Sequence, residues 1–176
     1  MINIKKELLL KYGDSIVATV SSDLMKFKNF YAIYADINKQ GENKMPCFCI
    51  PIIDGKITLI CRDKQMLEEM QLTSDERKAI YCHEMGHVYS PNQKNRAKER
   101  NYADEIDSDT FAIEKCDISI DVLESALKKT YEYDIKRIKN GQQKDKAKIK
   151  RYIDEMTARK RNIERLRERQ KEQNEL

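Results

Sequence analysis

The chain has 176 residues, 36% of them charged and 40% hydrophobic, with no tryptophan and a formal net charge of +4. That length suits one domain with room for an appendage, and a modest core beneath extensive helical surface. No run is apolar enough for a membrane span, and Leu8-Leu9-Leu10, broken at once by Lys11, is too short for a signal peptide, so a cytoplasmic protein is expected.

Taken in order, residues 4 to 12 predict a short amphipathic helix closed by Gly13. From Ile16 to Asp36 the apolar residues Phe27, Phe30, Tyr31, Ile33 and Tyr34 fit a strand or a helix face, and propensity leaves both open. Lys39-Gln40-Gly41-Glu42-Asn43 reads as a turn. Cys47 to Ile53 and Lys56 to Cys61 then form two β-rich runs joined by Asp54-Gly55, the signature of a hairpin. The second run, just before the main helix, is expected at the sheet edge, where it can pair with an extended peptide through its main chain while Ile57 and Leu59 complete the sheet.

A short helix is expected over Lys64 to Met70. Thr73-Ser74-Asp75-Glu76 has the form of a capping box and starts the main helix, which Ser90-Pro91 ends. Asn92 to Arg100 is a polar, basic connection. Asn101 to Cys116 predicts a second helix rich in carboxylates, and Leu123, Ala126, Leu127, Tyr131, Ile135 and Ile138 a third, stopped at Asn140-Gly141. The tail is helix-prone, with Ile149, Ile153, Met156 and Ile163 at three- and four-residue steps that Lys160 interrupts. This suits a short coiled-coil seam or packing on the chain's own domain, with fraying beyond Arg165. Residues 142 to 176 hold 12 Lys/Arg against 7 Asp/Glu, so the basic excess belongs to the tail.

The five cysteines, Cys47, Cys49, Cys61, Cys82 and Cys116, are odd in number and scattered, which reads as free thiols set among apolar neighbours. On a strand, Cys47 and Cys49 share one face.

His83-Glu84-Met85-Gly86-His87 contains the only two histidines of the chain. On a helix a step of four nearly completes a turn, so His83 and His87 project from one face and suit a shared metal ion. Glu84 flanks that face, where a general base beside the metal should stand. Zinc in catalytic sites commonly takes three protein ligands, and two histidines with a glutamate are a known set. Glu105, on the next helix, is the expected third ligand. Asp109 lies one turn further along the same face, placed to orient a histidine through its second ring nitrogen.

The histidine motif, followed by Glu105-Ile106-Asp107-Ser108-Asp109 and Phe111-Ala112, resembles the gluzincin metallopeptidases, whose pattern is a two-histidine motif and then Glu-x-x-x-Asp on the next helix. The likeness is greatest to the minigluzincins and to small regulatory peptidases of bacteria and mobile elements that cleave repressor proteins. It spans roughly residues 46 to 127 and implies zinc held by His83, His87 and Glu105, with Glu84 as base and acid in peptide hydrolysis. It also implies an α+β fold: a zincin-like domain over 1–141, with a short antiparallel sheet packed on an active-site helix and a glutamate helix, then a charged helical extension over 142–176. Family members often carry Ala where Ser108 stands. No third histidine exists to stabilise a transition state, which leaves Tyr89, Tyr102 or another tyrosine for that role.

The expected partner is a protein or peptide substrate. Small gluzincins similar to this chain include self-inhibited forms, so the tail is expected to cover the cleft, to dock a regulatory protein, or to be a solvated face. The competing reading is a zinc-stabilised module that binds protein or nucleic acid with little hydrolysis. Lys144, Lys146, Lys148, Lys150 and Arg151 suit phosphates, but Asp145, Asp154 and Glu155 dilute the field, and Tyr152 alone offers stacking, so nucleic acid is disfavoured.

Overall fold

The computed structural model describes residues 16–27, 30–39, 45–52, 57–89, 102–141 and 145–175. The expected helix at 4–12, the turns at 40–43 and 54–55, the Ser90-Pro91 stop and the basic connection at 92–100 lie outside them. The fold is α+β, and its contacts divide the chain into two compact units, 1–71 and 72–176.

The first unit holds the sheet. Strands β1 (Ile16–Phe27), β2 (Phe30–Lys39), β3 (Cys47–Ile52) and β4 (Ile57–Arg62) are followed by a short helix, α1 (Lys64–Glu69). The ambiguous stretch after Ile16 is therefore strand, paired as β1 with β2 from Ile16↔Lys39 to Phe27↔Phe30, with a register shift between Val20 and Leu24. The sheet is mixed, with strand order β1-β2-β4-β3, rather than antiparallel throughout as expected. The hairpin joins it by its second strand: β4 runs parallel to β2 and antiparallel to β3, which takes the edge. Flanked on both sides rather than at the edge as expected, β4 buries four consecutive residues, Thr58 to Cys61, the pattern of an interior strand rather than one with a wet face. Pro51, which has no N–H to give, sits on β3 where an edge tolerates it. Ala35, Ile37, Leu59 and Cys61 form a core cluster against which Ile33, Phe48 and Ile50 pack. Cys47 is buried and Cys49 partly so, and none of the five cysteines is joined in a disulfide.

The second unit is helical: α2 (Ser74–Tyr89), α3 (Tyr102–Cys116), α4 (Ile120–Lys139) and α5 (Lys146–Asn174). The capping box forms as expected, with Thr73 N–H donating to Glu76 Oε2 at 2.7 Å and Glu76 N–H to Thr73 Oγ1 at 3.2 Å. Glu76 also accepts from Ser125 Oγ at 2.6 Å and Lys129 Nζ at 2.7 Å, so this cap ties α2 to α4. Helix α4 starts on the Ser119 hydroxyl and ends at Asn140, with Gly141 at φ 73°, a left-handed position that favours glycine.

The tail helix belongs to this unit and packs on α3 and α4. It continues to Asn174 instead of fraying from Arg165, because Leu166 is buried and Arg167 reaches Asp121 and Glu124 at 2.7 Å each. Its inward face is also rotated from the expected seam: Arg159, Asn162, Ile163 and Leu166 are buried, while Ile153 is 40% exposed. A charged residue thus stands on the inward face, to one side of the stripe that the apolar steps mark.

Two outcomes are expected. Burial alone would raise the pKa of Glu76, but the hydrogen bonds from Lys129, Ser125 and Thr73 outweigh it and bring it from 4.5 down to about 2. A depressed carboxyl stabilises the fold above its unfolded pKa and loses that contribution as pH falls through the folded one. Glu76→Gln should therefore be less stable than the parent by about 2 kcal/mol near neutral pH, and the gap should close between pH 4.5 and about 2 in chemical denaturation. Ile163→Ala, at a residue 1% exposed, should cost about 2–5 kcal/mol in the same assay.

Candidate metal centre

Helices α2 and α3 meet at Gly86. A β-carbon there would lie 2.6 Å from Ser108 Cα and 2.9 Å from Ser108 O, both backbone atoms that could yield only if the helix moved. Glycine is what lets the two helices approach, and that approach brings the faces of His83/His87 and Glu105/Asp109 together.

Three donor atoms converge. His83 Nε2 lies 3.1 Å from His87 Nε2 and 3.1 Å from Glu105 Oε2, and His87 Nε2 lies 3.5 Å from Glu105 Oε2. Ligands about 2.0–2.1 Å from a tetrahedral ion stand about 3.3 Å from one another, so this triangle has the size that a small divalent cation demands. Glu84 offers a carboxylate oxygen within 4.8 Å of the imidazole nitrogens, which makes it a second candidate for the third position. Electrostatics separate the two carboxylates. Burial works against the charge of Glu105, but hydrogen bonds to His83 and His87 hold its carboxyl far below the usual range. Burial pushes the Glu84 carboxyl up, against the lowering pull of both histidines. A permanently ionised group suits a ligand. A carboxyl raised by burial suits a group that takes and returns a proton.

Each imidazole has its other nitrogen engaged. His83 Nδ1 donates to Asp109 Oδ1 at 2.8 Å, and His87 Nδ1 lies 3.0 Å from Ser108 Oγ. With the Nδ1 protons held there, both Nε2 atoms turn their lone pairs to the triangle, as metal-binding histidines require. Burial and the Arg159 charge oppose protonation of His83, but Asp109 and Glu105 outweigh them and push it up to about 9. The cluster draws positive charge to the Nε2 atoms, which a proton or a metal ion supplies.

Two members of the cluster escaped the sequence. Ser108 is fully buried, and Glu105, Ser108 and Asp109 stand at i, i+3 and i+4, so one helix face already grouped it with the site. Arg159 of α5 is the other. Its Nε and Nη2 donate to Asp109 Oδ2 and Oδ1 at 2.9 and 2.7 Å, and its Nη1 to Glu105 Oε2 at 3.4 Å. Glu155, one turn before it, approaches Arg159 at 3.9 Å. No local pattern announced this arginine, since its partners in the cluster, Asp109 and Glu105, lie 50 and 54 residues away.

Of the tyrosines considered for a transition state, Tyr89 stacks on Phe111 with ring centroids 6.3 Å apart, and Tyr102 is the half-buried first residue of α3. A cavity of about 750 Å³ opens between α4 and α5, lined by Leu127, Tyr131, Ile153, Met156 and Ile163; it meets the cluster only through Arg159, and none of His83, His87 and Glu105 lines it.

No protein-family model, curated protein or solved structure matches this chain.

Gly86→Ala should force α2 and α3 apart. The expected result is a stability loss of about 1–3 kcal/mol, measured by thermal denaturation, together with a roughly ten-fold or larger loss of whatever affinity the triangle has for a divalent cation, measured by competition with a chromophoric chelator. A variant with the parent's cation affinity would show that the close approach does not set the triangle.

Proposed function

We propose that the chain is a zinc-dependent peptidase of gluzincin type that hydrolyses peptide bonds in a cytoplasmic protein or peptide. The observation that carries this reading is the triangle of His83 Nε2, His87 Nε2 and Glu105 Oε2 at 3.1 to 3.5 Å, with Glu84 beside it and both Nδ1 atoms held from behind. Its donor set, two imidazoles and a carboxylate, is that of a catalytic site with a position left for water.

In this reading His83, His87 and Glu105 hold the ion. A bound zinc ion supplies Lewis acidity, lowering the pKa of water towards about 7 and polarising a peptide carbonyl. The Glu84 carboxylate takes the proton of the attacking water and returns it to the leaving amine. Burial raises its pKa, which favours the proton's transfer to it. Asp109 and Ser108 keep the two rings oriented, so each imidazole meets the ion through Nε2.

Glu84→Gln should retain stoichiometric zinc and lose turnover by about 10²–10⁴-fold, measured by elemental analysis beside a proteomic cleavage screen against the parent chain. His83→Ala should lose the zinc. If the parent cleaves nothing while holding zinc as tightly as Glu84→Gln does, the site is a structural centre and the binding-module reading replaces this one.

A further inference from the structure

A buried arginine needs a reason, and on α5 it occupies a place where apolar packing was available. Arg159 is only 7% exposed, and its guanidinium grips both oxygens of Asp109, which is itself fully buried. Asp109 Oδ1 receives two donors, Arg159 Nη2 at 2.7 Å and His83 Nδ1 at 2.8 Å. The 3.1 Å approach of Nη2 to Nδ1 is therefore two donors converging on one acceptor, not a third hydrogen bond. A two-pronged grip fixes the plane of a carboxylate, which a single contact leaves free to rotate.

We propose that Arg159 is a positioning residue for the metal centre: by locking the Asp109 carboxylate, it fixes the His83 ring with Nε2 aimed at His87 and Glu105. The proposal rests on the reading of His83, His87 and Glu105 as metal ligands. Its consequence is that α5 is a structural part of the centre. A segment that merely covered the cleft could lift away and leave the ligands in place; this one would take the clamp with it.

The test uses the full chain and begins with the parent protein. Nuclear magnetic resonance should find the His83 Nδ1 proton and the Arg159 Nε proton both protected from exchange with water. An Arg159 Nε proton exchanging as fast as that of free arginine overturns the proposal without any variant. Arg159→Lys keeps the charge and loses the fork. Checked for folding by circular dichroism, it should exchange the His83 Nδ1 proton at least ten-fold faster and bind zinc about 10–100-fold more weakly. Zinc affinity within about three-fold of the parent and an unchanged exchange rate overturn the proposal. In an Asp109→Asn background the same substitution should lose clearly less zinc affinity than in the parent, with only the Nη1 contact to Glu105 left to remove. An equal loss in both backgrounds contradicts it. If the parent binds no zinc yet both protons are protected, the metal reading falls and the clamp on His83 stands.

Discussion

The carboxylate of Asp109 is the group on which the helical unit turns. An ion taken fully out of water is tolerated only when its partners satisfy it, and here three donors do so: His83 Nδ1 from α2, and Nε and Nη2 of Arg159 from α5. Each partner restrains the others. Burial acts against the charge of Arg159, and Asp109 and Glu105 outweigh it, raising the guanidinium's pKa further. Removing one member of such a buried set typically costs about 3–5 kcal/mol, because the remaining charge is left behind without water. Three helices therefore share one electrostatic knot.

A second polar tie works at the start of α2. Glu76 closes the cap of its own helix and binds Ser125 and Lys129 of α4, so α2 is held near its beginning to α4 and further along to α3 and α5. Between these ties the packing is fine-grained: Ala79, Cys82, Met85 and Ala112 are fully buried, and Gly86 admits the backbone of α3. A chain without tryptophan and with over a third of its residues charged compensates for a small apolar core by placing buried ion pairs where helices must meet in one register.

What could be read from the sequence was what is local. The capping box, the histidine motif and the Glu105/Asp109 face each lie within five residues, and their geometry follows from helical periodicity alone. Ser108 was equally within reach of that periodicity, since it shares the helix face of Glu105 and Asp109. The strands were harder. Residues 16 to 36 carry aromatic and branched side chains that suit either element, and only the pairing of β1 with β2 and of β2 with β4 decides the matter. The parallel register of β2 and β4 depends on where the hairpin docks, a tertiary choice that no turn signal encodes. On α5 the apolar steps named a seam through Ile153, but the buried face is the one that carries Arg159, because an ion pair across 50 residues outweighed a weak hydrophobic repeat.

The order in which the chain is synthesised acquires meaning from these separations. His83 and Asp109 emerge 26 residues apart, while Arg159 follows His83 by 76. Contacts of long sequence separation form only after the entropy of closing the intervening loop has been met. A nascent chain that has released α2 and α3 thus displays the whole histidine motif and its glutamate, yet lacks the cation that makes burying Asp109 tolerable. The motif is made early, and the buried ion pair that steadies its His83 ring is completed late, once the helix carrying Arg159 has docked.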